Sequence, residues 1–240
     1  MRQIIGVVLI LSLTGMSVGI CQDTRLGDNV YRYDRDIDGC AVLTDTREAV
    51  VCMAIQEHPI ASGVIVRADG FVLTNYHVAN EDNWLQLTVI TYSGQTYGVE
   101  WIYPLPRADL CLVKIDAAEL PSIKWGNTDD LYLGQKVYAM GHPLLFYWTI
   151  SRGVISAAHV KLSTGVRYIQ IDANIQQGSS GGPVFNDKGE VVGIVSWVMA
   201  GHNMYGPPIS MGLNFAIDGN VAHAFSRAVM SVYDNLRLNE

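Results

Sequence analysis

Cysteine is scarce in this sequence: 240 residues hold four, Cys21, Cys40, Cys52 and Cys111. None forms a C-x-x-C pair or a Cys/His cluster with zinc spacing, so no metal or cofactor is expected. Cys52 in "AVVCMAI" and Cys111 in "DLCLVKI" sit in apolar runs, where a free cysteine behaves as a small buried hydrophobe. A disulfide among Cys40, Cys52 and Cys111 is left unassigned. Basic charge is also short, with 16 Lys and Arg against 23 Asp and Glu and a net charge of -7. Nucleic acid is excluded as a partner, because its phosphates demand a basic face. No polybasic run offers itself to an acidic lipid surface. Repeats and low-complexity segments are absent, and helical spacing is missing until the tail. Strands following strands without intervening helices disfavour a parallel doubly wound sheet.

What is present supports a folded chain, since 49% of the residues are hydrophobic and only 16% charged. Met1, Arg2 and Gln3 precede the uncharged run Ile4 to Ile20, which has the n-region and h-region of a secretory signal. Ser17-x-Gly19 supplies small residues for cleavage, so residues 1–21 are expected to be a signal peptide and the chain exported, periplasmic or secreted. An uncleaved membrane anchor stays open, and so does lipid on Cys21, although Ile20 stands where a small residue is required. Residues 22–48 read as a polar arm.

From Ala49 onward short runs rich in Val, Ile, Leu and Tyr are punctuated by Gly, Asp and Asn, the pattern of an all-β sandwich or barrel. The runs are "AVVCMAI", "SGVIVRADGFVLT", "WLQLTVITYSGQTYGVEWIY", "LCLVKI", "QKVYAM", "VRYIQI", "PVFNDKGEVVGIVSW" and "GLNFAI". Val221, Ala224, Phe225, Ala228, Val229 and Val232 then recur at helical spacing, which predicts a helix over 219–236 capped by Asp218 or Asn220.

The stretch "IQQGSSGGPVF" interrupts this pattern. Gly and Ser mark linkers as well as turns, but this cluster lies between two core-forming runs. Gly178-Ser179-Ser180-Gly181-Gly182 also satisfies G-x-S-x-G, the nucleophile elbow of α/β-hydrolases. That elbow needs a helix next, whereas Gly181, Gly182 and Pro183 are poor helix formers and a hairpin follows. It would also need Asp187 or Asp218 with His202 or His223. The competing arrangement is a strand-loop-strand turn that presents Ser180 as nucleophile and aims the amides of Gly178 and Ser180 at one oxyanion.

A serine hydroxyl needs a general base. Of six histidines, His77 follows the second strand of a hairpin directly. His142 reads as a loop residue before Pro143, and His58, His159, His202 and His223 have no comparable setting. The imidazole needs a carboxylate on its other nitrogen. Asp109 fits, since it begins an apolar strand after a Pro-containing turn; Asp116 is the alternative. Asp172 reads as structural.

The chain order His77, Asp109, Ser180 matches that of chymotrypsin-like serine proteases. The segments "SGVIVRADGFVLTNYHV", "RADLCLVKID", "SRGVISA", "IDANIQQGSSGGPVFNDKGEVVGIVSW" and "GLNFAID" resemble, in order, the protease domain of the HtrA (DegP-like) branch, over roughly Ala49 to Asp218. The resemblance implies two packed antiparallel six-stranded β-barrels and a protease domain at 49–240. It implies His77 as base, Asp109 as orienter, Ser180 as nucleophile, and Gly178 and Ser180 as oxyanion hole. Extended polypeptide would pair with Ser196, Trp197 and Val198, with Asn174 and Ile175 lining the specificity pocket. No acid stands in that pocket, so a small or medium apolar side chain is expected there. Ser179 stands where digestive relatives keep an activating aspartate. HtrA relatives commonly add a PDZ domain, which is expected to be absent here. A protease-fold binding or chaperone-like protein is the competing function, and a homo-oligomer is left open.

Overall fold

The computed structural model describes Leu43 and residues 46–161, 165–201 and 209–238. The signal segment, Cys21, Cys40, His202 and all but the end of the polar arm lie outside the described residues. Among the described residues no helix is long and apolar enough to cross a membrane.

Six antiparallel strands close the first barrel: β1 (Val50–Ile55), β2 (His58–Arg67), β3 (Phe71–Thr74), β4 (Leu87–Ile90), β5 (Thr96–Leu105) and β6 (Leu110–Ile115), in the order β1-β2-β3-β6-β5-β4. The second is built from β7 (Lys124–Trp125), β8 (Lys136–Gly141), β9 (Thr149–Lys161), β10 (Arg167–Ile171), β11 (Pro183–Phe185), β12 (Glu190–Gly201) and β13 (Ile209–Asp218). Its order is β11-β8-β9-β10-β13-β12, closed by pairing of β11 with β12, while the two-residue β7 adds in parallel beyond β12. The expected double barrel of antiparallel six-stranded sheets is therefore found, with β7 as an unforeseen appendage. Strand β9 was not among the expected runs, because its residues are mostly half-exposed or exposed and its apolar alternation is weak.

Why β1 and β6 read as unbroken apolar runs is now clear: both of their faces are buried. Val51, Met53, Ile65, Val72 and Val113 fill the first barrel. The alternate residues Val50, Val64, Leu73, Leu110 and Leu112 face outward into a shared core with Tyr138, Met140, Ile194 and Ile217 of the second barrel. Each such side chain contributes about 1.5–3 kcal/mol by leaving water. The interface between barrels is thus as buried and apolar as their interiors.

The tail forms helix α1 (Gly219–Arg237), within a residue of expectation. Of the two candidate caps the structure uses Asp218, whose buried carboxylate accepts from the amides of Asn220 and Val221. Arg167 pairs with that carboxylate at 2.8 Å, and Asp234 anchors the far end of the helix to Arg67 at 2.8 Å.

Candidate active site

His77 lies three residues beyond β3. A helical turn, closed by the amides of Val78 and Ala79 donating to Asn75 O, sinks Val78 and Ala79 into the first-barrel core and leaves the His77 side chain half exposed. Asp109 precedes β6 in a left-handed conformation, φ 53 and ψ 40, one of the few that aspartate adopts readily. Its carboxylate meets His77 Nδ1 at 2.9 Å and accepts from the His77 amide at 3.1 Å. Asn75 Nδ2 donates to Asp109 O at 3.0 Å, locking the two loops together. Asp109 is thereby the carboxylate brought to His77. Asp172 accepts from the Val154 amide, a structural bond as expected.

One partner of this carboxylate escaped the sequence reading. Ser196 Oγ donates to Asp109 Oδ2 at 2.6 Å. Between β12 and β13 the register runs Val195↔Ala216 and then Trp197↔Phe215, so Ser196 is the extra residue of a bulge. Bulges re-aim side chains beside functional sites, and this one turns Ser196 onto Asp109. With 4% of its surface exposed and its hydroxyl engaged, Ser196 can offer an extended ligand only its backbone.

The serine turn is held by its backbone. Gly181 N donates to Val195 O and Val195 N to Gly182 O, both next to Ser196 in sequence. Ser62 N, from β2, donates to Ser180 O at 2.8 Å. A Cβ at Gly181 (φ +82) would run into Ser62 O and Thr74 Oγ1. The turn is therefore pressed against the ends of β2 and β3, the latter leading to His77. Among the described residues no hydrogen bond joins His77 to Ser180 Oγ.

The peptide planes of this turn decide what it can bind. Gln177 O accepts from Leu144 N at 2.9 Å and Ser179 O from Gly182 N at 3.0 Å. In a trans peptide the N-H points opposite to the C=O, so the Gly178 and Ser180 amides are directed away from these contacts. Neither has an acceptor among the described residues. Two unsatisfied, fixed donors beside a serine are what an oxyanion requires.

Beneath the turn lies His142, for which its place before Pro143 predicts no more than a loop position. It is buried directly after β8, edge-on to Tyr147 and Trp148. Burial pushes its pKa down to about 3, so the ring is neutral at physiological pH.

Asn174 is exposed, whereas Ile175, 4% exposed, packs in the second-barrel core. Both border a small pocket formed with β8 and β9 residues such as Gly141, Thr149 and Ser151, and Ser151 Oγ ties Asn174 O to β9 at 2.7 Å. Trp197 stacks on Phe215 at 4.3 Å. Past Ile194, β11 no longer pairs with β12, and the edge of β12 away from β13 carries no strand from Ser196 through Val198 among the described residues. Among the described residues no cluster of metal ligands occurs.

Two closed six-stranded barrels, a His-Asp pair on one and a glycine-bracketed serine on the other, define the class of chymotrypsin-like double-barrel proteins. Residues 61–194 match the trypsin-like peptidase domain family, and the chain belongs to it. It is 38% identical over 184 residues to a DegP-like periplasmic serine endoprotease of Marinomonas sp., covering 76% of this chain and 36% of the relative. A DegP-like periplasmic serine endoprotease of Chlamydia trachomatis is 35% identical over 164 residues, 67% of this chain and 32% of the relative. The chain thus spans about a third of the length of these curated relatives. Among solved structures it is similar to the HtrA-type protease AlgW with a tripeptide, with a TM-score of 0.71 and 28% identity over 80% of this chain and 64% of that one. AlgW with a decapeptide gives 0.71 and 25%, over 81% and 68%.

Proposed function

We propose that this chain is a serine endopeptidase of the HtrA type that hydrolyses peptide bonds through an acyl-enzyme. The observation that carries the reading is the linkage of the His77-Asp109 pair to the serine turn through Ser196 and Val195. Ser180 Oγ attacks the carbonyl carbon while His77 Nε2 takes its proton. Asp109 holds the Nδ1-H tautomer and stabilises the imidazolium, and Ser196 keeps one carboxylate oxygen in place. The Gly178 and Ser180 amides receive the oxyanion. His77 then protonates the leaving amine, and water releases the acyl group by the same steps in reverse. A hydrogen bond from Ser180 to His77 that forms only with substrate present is usual for such pairs.

The substrate is an extended or unfolded polypeptide, added as a strand along Ser196, Trp197 and Val198. AlgW structures with a tripeptide and a decapeptide support a peptide ligand. Residues 1–21 act as the export signal, 22–48 as an arm and 49–240 as the protease domain; the periplasmic naming of the relatives supports export.

A fluorophosphonate probe tests the assignment. The wild-type protein is expected to be labelled covalently and Ser180→Ala to be unlabelled and inactive on unfolded casein, a loss of at least about 10⁴-fold. Labelling retained in Ser180→Ala would overturn it.

A further inference from the structure

We infer that Ser62 and His142 are positioning residues that set the direction of the Gly178 amide, an inference that rests on the serine endopeptidase reading above.

Ser62 belongs to β2 of the first barrel and is fully buried, 116 residues from the glycine it touches. Its hydroxyl has one proton to give. Gly178 O, 2.7 Å away, can only accept, so that proton goes there. The His142 amide, 3.0 Å from the same oxygen, can only donate. His142 Nδ1 is also 3.1 Å away and must donate as well, because the only hydroxyl proton is already committed. This fixes the tautomer: Nδ1 carries the hydrogen and Nε2 keeps a lone pair, buried and without a partner. Two donors on Ser62 Oγ leave its own hydrogen a single direction, toward Gly178.

The consequence falls on the two torsions of Gly178. Leu144 N holds the 177–178 peptide plane through Gln177 O, and the 178–179 plane is held at both ends, by Ser62 Oγ on Gly178 O and by Ser179 N donating to Gln176 O at 3.0 Å within the turn. Gly178, with φ +96, has no side chain to resist rotation, and a Cβ there would strike His142 O. The restraint must therefore come from outside the residue. Ser62 also grips the second donor residue, since its amide bonds Ser180 O at 2.8 Å. A single residue of the first barrel thus holds the carbonyls of both residues whose amides receive the anion. Tyr147 and Trp148 keep the His142 ring in place, and Trp148 Nε1 donates to Val50 O at 2.9 Å, tying that loop back to the first barrel.

The labelling reaction reads this directly. Ser180 Oγ forms a bond to phosphorus, fluoride leaves with the P-F electron pair, the serine proton passes to His77, and the phosphoryl oxygen takes the place of the oxyanion. Ser62→Ala is expected to slow labelling about 10- to 100-fold. On fluorescent unfolded casein it is expected to lower kcat by a similar factor while KM stays within about twofold of wild type. His142→Phe, which removes the donor, shows the same loss, and His142→Asn, which restores an N-H, recovers most of it. A folded Ser62→Ala protein labelled within about twofold of wild type, or one changed only in KM, overturns the inference. Should Ser62→Ala fail to fold, the two His142 variants decide: equal rates for Phe and Asn overturn it. Wild-type protein that resists the probe, or Ser180→Ala that accepts it, would instead sink the serine reading itself.

Discussion

The two barrels contribute to the site in opposite ways. The first supplies side chains: His77 is 50% exposed and Asp109 24%, and directional bonds from Nδ1, an amide and Ser196 hold them in place. Apart from Ser180 itself and Ser196, whose hydroxyl reaches across to Asp109, the second supplies backbone: Ser179 is 6% exposed, and glycines let neighbouring strands press against the turn that carries Ser180. A proton shuttle needs access and one tautomer, which a few hydrogen bonds can enforce. An anion receptor needs fixed dipoles away from water, which only surrounding packing can enforce. The first half should therefore be sensitive to chemistry at constant shape, the second to shape at constant chemistry.

The largest expected effect breaks the first half without altering its outline. Asp109→Asn keeps the volume but loses the charge and favours the wrong tautomer. A fall in kcat of about 10⁴-fold is expected, with the thermal midpoint nearly unchanged. A decrease below tenfold would show that the carboxylate does not orient His77. Next, Gly181→Ala adds one methyl group to the second half. It meets Ser62 O and Thr74 Oγ1 in a left-handed conformation, so a destabilisation of about 2–4 kcal/mol and a rate loss near 10²-fold are expected. Denaturant unfolding and casein cleavage measure the two, and a variant matching wild type in both would erase the proposed contrast.

The effect with least bearing on rate near neutral pH sharpens the comparison through acid stability. His142 has its pKa lowered by burial to about 3, while the unfolded chain titrates near the ordinary value of about 6.5. Between these values the unfolded state binds the extra proton, so stability is greatest above 6.5 and falls as pH drops, by at most about 1.4 kcal/mol per unit. Below about 3 the loss from this group is complete. Urea unfolding of wild type and His142→Asn across that range should show the steeper acid slope only in wild type. Parallel slopes would mean that the ring is hydrated in the folded protein.

Much of this was legible beforehand. Short apolar runs punctuated by turn residues located eleven of the thirteen strands among the described residues, because such a run reports a strand wherever at least one of its faces is buried. Strands β7 and β9 were missed for the same reason, the first being too short and the second too exposed. The pairing of His77 with Asp109 was anticipated because both stand at strand ends, where loops are free to converge. Ser62 and His142 carried no such signal: a serine in "ASGVIV" and a histidine before proline look ordinary in one dimension. Ser196 was assigned to ligand contact, since a one-residue bulge leaves no mark on the pattern that sets register.

The amino-acid order by itself determined an all-β body of short strands, a terminal helix starting at Asp218 or Asn220, and a glycine-framed turn able to present Ser180; the division into two barrels rested on the family resemblance. Tertiary structure alone decided which polar groups satisfy one another: Ser196 with Asp109, Ser62 with Gly178, and His142 with Ser62. The physical reason is range. Patterning is written over a few residues, whereas these bonds join positions 80 to 116 apart that meet only once both barrels have closed and packed.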